Sequence, residues 1–140
     1  MIVGDVMSRD VEFIAPEASA QEAAELMGEI DVGAVPVGTA ERLVGIVTDR
    51  DLLYRIVAKG VDPVQTRVRD VLSRPVITCR ASDTLNAAMD LMAANHVRRL
   101  PVQDAASGAV VGWITLADIS RTLLVDNTSV QQALRELTEP

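Results

Sequence analysis

Apolar residues in this chain cluster at two alternating spacings, and the alternation itself recurs. Val11 to Ile14 is a short run that reads as a strand. From Ser19 the spacing becomes helical, with Ala20, Ala23, Ala24, Met27 and Ile30 on one face as far as about Ile30. Ser19 followed by Glu22 predicts an N-terminal capping box for that helix. Ala34 to Val37 and Leu43 to Val47 read as two more strands joined by a turn from Gly38 to Arg42, and Pro36 marks an edge or a strand end. A second helix is expected from Asp49 to about Lys59; Gly60 stops it, and Asp62-Pro63 opens a connector. The order is β-α-β-β-α.

The same order follows again: strand Val76 to Cys79, helix Asp83 to Asn95, strands Arg99 to Val102 and Val110 to Ile114, and helix Leu116 to Leu124. Val3-Gly4-Asp5-Val6 meets Val68-Arg69-Asp70-Val71 at an offset of 65, from Asp5 to Asp70. In that register Ala23 meets Ala88, Leu26-Met27 meets Leu91-Met92, and Pro36-Val37 meets Pro101-Val102. Beyond this the offset is 67, from Asp51 to Asp118, which places two extra residues in the turn around Asp104 to Gly108, where a loop tolerates them. Identities held in one register over most of the chain define an internal repeat. The expected architecture is α/β in the α+β sense, with repeats at 1–62 and 63–125 packed as a pseudo-two-fold pair. Three short strands with helices on one face leave an apolar sheet side, so the pair is the expected folding unit. The tail, 126–140, carries Val130, Leu134 and Leu137 at helical spacing and either docks or frays.

The most informative repeated stretch is Gly45-Ile46-Val47-Thr48-Asp49-Arg50-Asp51 with its copy Gly112-Trp113-Ile114-Thr115-Leu116-Ala117-Asp118. Each reads as the end of a buried strand running into a helix, with threonine as N-cap and aspartate as the third helical residue. Capping alone accounts for both side chains. The arrangement also gathers backbone N–H groups, a hydroxyl and a carboxylate at one point. A carboxylate offers two acceptor oxygens, which match the two donors of a vicinal diol such as a ribose.

Composition narrows the possibilities. The 140 residues are 49% hydrophobic and 24% charged, as in a globular chain, with a net charge of −7 that disfavours nucleic acid and anionic membrane as partners. Aromatics make up 2%, so the core is aliphatic and no row of rings awaits stacked bases. One cysteine, Cys79, and one histidine, His96, leave no intrachain disulfide, no cysteine-based zinc site and no histidine-cluster metal site. His96 reads as a helix C-terminal residue, Cys79 as a small core residue and Trp113 as packing. Neither a signal peptide nor a membrane-spanning run is evident, so the expected location is the cytoplasm. No nucleophile paired with a base, no carboxylate metal cluster and no Walker-type loop stands out, and the chain is expected not to be an enzyme.

The tandem β-α-β-β-α units, the two Gly-h-h-Thr-x-x-Asp stretches (h, apolar) and the Pro-Val strand of each unit resemble a pair of CBS domains from about Val3 to Leu124. Asp31-Val32-Gly33-Ala34-Val35-Pro36, Thr48-Asp49-Arg50-Asp51 and His96-Val97-Arg98-Arg99-Leu100-Pro101 are similar to small stand-alone bacterial CBS-pair proteins. The resemblance implies a regulatory module with no cofactor. Its ligand would be adenosine-type, AMP, ADP or ATP ahead of S-adenosylmethionine or NAD, held in a cleft between repeats. It also implies a homodimer of such pairs that signals to an effector protein. On this reading Asp51 and Asp118 take ribose hydroxyls, Thr48 and Thr115 position ribose or phosphate, and Arg50, Arg98 and Arg99 meet phosphates. The adenine pocket beside Asp118 would use Val11, Glu12, Gly33 and Ala34, and the one beside Asp51 would use Val76, Ile77 and Val97. Gly33-Ala34 stands where the second repeat has Arg98-Arg99, so phosphate contacts would be one-sided. The rival reading is a structural homodimerisation module with vestigial nucleotide sites.

Overall fold

The computed structural model describes residues 1–74, 76–124 and 128–138, with no description of the side chains of 128–131 and 134. The fold is α+β and falls into two compact bodies, Glu12–Val76 and Met1–Val11 with Ile77–Glu139. The bodies are therefore offset from the sequence repeats. Each repeat sends its opening segment into the body built by the other.

In the body of the first repeat, helix α2 (Ala20–Ile30) starts at Ser19, whose hydroxyl accepts the Glu22 N–H, and ends at Asp31 in the left-handed conformation (φ 56°). (Helix α1, Val3–Val6, lies in the other body.) Ala20, Ala23 and Met27 are buried, whereas Ala24 is exposed and Ile30 is 37% exposed, a narrower apolar face than the periodicity predicts. Strands β1 (Ala34–Gly38) and β2 (Leu43–Thr48) form an antiparallel hairpin pairing Ala34 with Thr48 and Pro36 with Ile46. The expected strand from Val11 to Ile14 is reduced to a bridge from Ile14 to Val37: Ile14 N–H donates to the Pro36 carbonyl, and Gly38 N–H to that of Ile14. Pro36 keeps its carbonyl as an acceptor on that side while lacking an N–H to offer.

The second helix is also corrected. Helix α3 covers only Asp49–Leu52, and Leu53–Val57 continues as a π-helix with Ala58 N–H bonded to the Leu53 carbonyl. The wider i→i+5 turn suits the burial of both Asp51 and Ile56, five residues apart. The connector then folds back. Ala20 N–H meets the Thr66 carbonyl, Val68 N–H meets that of Ala18, and Ser73 exchanges two backbone bonds with Ile46. Ile14, Ala23, Met27, Val35, Val37, Val47, Ile56, Val68 and Leu72 close one aliphatic core.

The other body repeats this plan. Helix α1 (Val3–Val6) lies here: Val3 N–H donates to the Asp83 carbonyl and Gly4 N–H to that of Ala81, while Ser8 exchanges two backbone bonds with Trp113. Strand β3 is only Cys79–Arg80, shorter than the expected Val76–Cys79, and runs parallel to β4 (Arg99–Gln103); β4 pairs antiparallel with β5 (Val110–Thr115). Helix α4 (Leu85–Asn95) is capped by Thr84 and begins two residues later than the expected Asp83, because the Thr84 hydroxyl takes the Ala87 N–H while Asp83 accepts from Arg80 N–H. His96 ends α4 in the left-handed conformation (φ 54°), matching Asp31. The β1–β2 turn spans residues 39–42 and the β4–β5 turn 104–109, so the two extra residues lie where the offset places them. In the longer turn Ser107 donates its N–H and hydroxyl to Asp104, holding that carboxyl below its ordinary range. Helix α5 (Leu116–Leu123) completes the repeat, and Val3, Leu85, Ala88, Met92, Leu100, Val102, Ile114 and Ile119 form its core. Cys79 is part of this core, and burial pushes its thiol up to about 11, with the negative charge of Asp83 adding to the shift. The tail is helical, α6 (Thr128–Thr138), beside α5; Leu137 is exposed, and the side chains of Val130 and Leu134 lie outside the described residues.

Candidate functional site

Each Gly-h-h-Thr-x-x-Asp stretch builds one corner where a strand becomes a helix. At the first, Thr48 Oγ1 accepts the Asp51 N–H at 3.0 Å and Asp51 Oδ2 accepts the Thr48 N–H at 2.9 Å. At the second, Thr115 and Asp118 make the same reciprocal pair, both bonds at 3.1 Å. The capping expected from sequence is therefore present in both copies. Asp51 is buried at 7% exposure, an unusual place for a carboxylate unless it is well bonded.

The surroundings of the two carboxylates differ. The Ser73 hydroxyl lies across Asp51, 3.0 Å from Oδ1 and 3.1 Å from Oδ2, with Arg55 Nε at 3.8 Å from Oδ1. Asp118 Oδ1 instead meets the guanidinium of Arg121, one turn on along α5, at 2.5 Å. Ser8, the counterpart of Ser73, keeps the equivalent backbone pairing with Trp113, but its hydroxyl accepts the Asp10 N–H. Ser73, Arg55 and Arg121 were not singled out from the sequence. Arg55 and Arg121 follow their aspartates at i+4 and i+3, a legible signal; Ser73 is 22 residues from Asp51 and becomes its neighbour only through the connector.

The motif glycines have a role that the sequence reading missed. A Cβ on Gly45 would lie 2.7 Å from Leu72 Cδ1 and 3.0 Å from the Ser73 carbonyl oxygen. On Gly112 it would collide with Met7 Sδ and lie 2.8 Å from the Ser8 carbonyl oxygen. Glycine is needed because the exchanged opening segment crosses the strand there.

Around the first corner the structure gathers Thr48, Arg50, Asp51, Gly33 and Ala34: Ala34 pairs with Thr48, and the Gly33 carbonyl accepts the Asp49 N–H. Asp49 Oδ2 covers Gly33, 3.1 Å from where a Cβ would sit, and Ala34 is buried. Arg50 is exposed, with its guanidinium 5.7 Å from the Tyr54 ring centroid. Around the second corner it gathers Thr115, Asp118, Arg98 and Arg99: Arg99 pairs with Thr115, and the Arg98 carbonyl accepts the Leu116 N–H. Arg98 is exposed and Arg99 half-buried. Of the remaining expected residues, Glu12 and Val76 belong to the body holding Asp51, and Val11, Ile77 and Val97 to the body holding Asp118. Among the described residues no group of three or more His, Cys, Asp or Glu is placed to hold a metal ion.

The CBS-domain family model matches this chain twice, at 3–58 and 68–125. The chain belongs to the CBS-domain family. The CBS-domain protein YhcV of Bacillus subtilis is 36% identical over 97% of this chain and 94% of its own. A CBS-domain protein of Burkholderia ambifaria has a similar structure, with a TM-score of 0.82 and 26% identity over 91% of this chain and 96% of its own. A hexameric CBS-CP12 protein from bloom-forming cyanobacteria matches with a TM-score of 0.75 and 27% identity, over 86% of this chain and 66% of that one. The CBS pair is a regulatory module. Among the described residues no helix is long and apolar enough to cross a membrane.

Proposed function

We propose that this CBS pair binds an adenosine-type nucleotide, AMP, ADP or ATP, and works as a cytoplasmic sensor passing the signal through a homodimer or an effector protein. The observation that carries the reading is the buried Asp51 carboxylate, anchored by the Thr48 backbone N–H and bridged by one hydroxyl across both oxygens. A ribose 2′,3′-diol presents hydroxyl donors of the same kind, two where Ser73 offers one. Arg50 in the body of Asp51, and separately Arg98 and Arg99 in the body of Asp118, are cations of the kind suited to phosphates. Ligand binding shifts the module only as far as it binds two arrangements unequally. For assembly, the hexameric cyanobacterial relative and the exposed Leu53, Tyr54 and Val57 support association of copies.

One observation favours the rival, a structural dimerisation module with vestigial sites: both motif carboxylates already have donors within the chain. A thermal-shift screen with AMP, ADP, ATP, NAD and S-adenosylmethionine separates the two. A ligand at a hundred times its Kd stabilises by about 2.7 kcal/mol. A melting temperature raised by AMP, ADP or ATP supports the sensor, and no shift with any of the five refutes it.

A further inference from the structure

Resting on that reading, we propose that the two motif carboxylates are unequal: Asp51 is the working diol acceptor, and Arg121 is the residue that keeps Asp118 out of use. The contrast lies in what covers each acid. Over Asp51 the cover is the neutral Ser73 hydroxyl, which carries one proton shared between two oxygens at 3.0 and 3.1 Å. Turning one side-chain bond moves it aside. A diol then replaces one donor with two, and no charge is left without a counterion. The nearest cation, Arg55, stands 3.8 Å off and is half exposed, so water can solvate it when the ligand enters.

Over Asp118 the cover is a guanidinium in direct charge-assisted contact with Oδ1, both side chains being only 21% exposed. A neutral diol that displaced it would separate an ion pair in a setting where water compensates poorly. The same helix turn therefore presents an exchangeable acceptor in one repeat and an occupied one in the other. Two features set the difference, and neither belongs to the repeated motif. Ser73 reaches Asp51 whereas Ser8 turns its hydroxyl to the Asp10 N–H, and Arg121 stands where the first repeat has Tyr54.

The test is a calorimetric titration of AMP into the full chain, in wild type and in Arg121→Met, Arg121→Lys and Asp51→Asn, each checked for folding by thermal melting. Wild type is expected to take one equivalent, Arg121→Met a second, and Arg121→Lys, which keeps the cation, only one. Asp51→Asn is expected to weaken the wild-type equivalent at least roughly tenfold, the loss of one strong hydrogen bond. Two comparable equivalents in wild type, or a folded Arg121→Met that still takes one, would overturn the proposal. So would full affinity in Asp51→Asn, which decides the matter even where Arg121→Met does not fold. No binding of AMP, ADP or ATP by wild type and Arg121→Met alike removes the adenosine reading and this inference with it. One wild-type equivalent left alone by Arg121→Met removes only the inference.

Discussion

Replacing Asp51 by asparagine separates its role in folding from its role in binding. Three donors converge on the carboxylate or stand near it: the Thr48 N–H at 2.9 Å, the Ser73 hydroxyl at 3.0 and 3.1 Å, and Arg55 at 3.8 Å. The amide of asparagine can keep its oxygen on the Thr48 N–H, and its NH2 can donate to Ser73 once that hydroxyl turns to accept. Geometry is retained, and the loss is the negative charge near a helix start, about 0.5–1 kcal/mol or 2–4 °C of melting temperature. Binding suffers more. A diol needs two acceptors, the amide offers one oxygen already in use, and a hydrogen bond to a charged acceptor contributes about 1.5–3 kcal/mol. AMP affinity should therefore fall by roughly tenfold to a hundredfold while the fold survives. Isothermal titration calorimetry with a parallel thermal melt measures both. An affinity within twofold of wild type would show that Asp51 does not receive the ribose. A melting temperature lower by tens of degrees would show that the carboxylate is chiefly a structural group.

Other expectations follow from the crossings and the core. Gly112→Ala forces the backbone of Ser8 to move, and Gly45→Ala chiefly displaces the end of the Leu72 side chain. Thermal melts should show both destabilised by about 1–3 kcal/mol, Gly112→Ala the more; the reverse order would contradict the crossing geometry. Cys79 has a native pKa raised from the ordinary 9.0 to about 11, so the folded state favours the protonated thiol. That contribution to stability is fully present below pH 9 and lost as pH rises from 9 to about 11. The native thiol should also react slowly with a disulfide reagent at pH 8 and fast in denaturant, and prompt labelling of the native protein would refute its burial.

Much of the site is local and so was legible in the sequence. Thr48 with Asp51, and Thr115 with Asp118, are three residues apart, and cap geometry follows from that spacing whatever surrounds it. The repeat register, the hairpins and the two-residue insertion in the second turn were readable for the same reason. The short opening strands were overestimated because a parallel pairing depends on a neighbour far along the chain. Ile14 keeps only its bridge to Val37, and β3 only Cys79–Arg80. The π-helix at Leu53–Val57 answers to the burial of Asp51 and Ile56, which periodicity cannot supply.

By itself, then, the sequence determined that there are two α+β repeats and where each acid-bearing corner falls, because spacing along the backbone sets both. Tertiary structure alone decided that each opening segment joins the other repeat's body, which explains Gly45 and Gly112 as crossing points. It alone decided what faces each carboxylate as well: a serine hydroxyl from the connector at Asp51, a guanidinium at Asp118. Local spacing builds the same cap twice, and packing from distant residues makes the two caps chemically different.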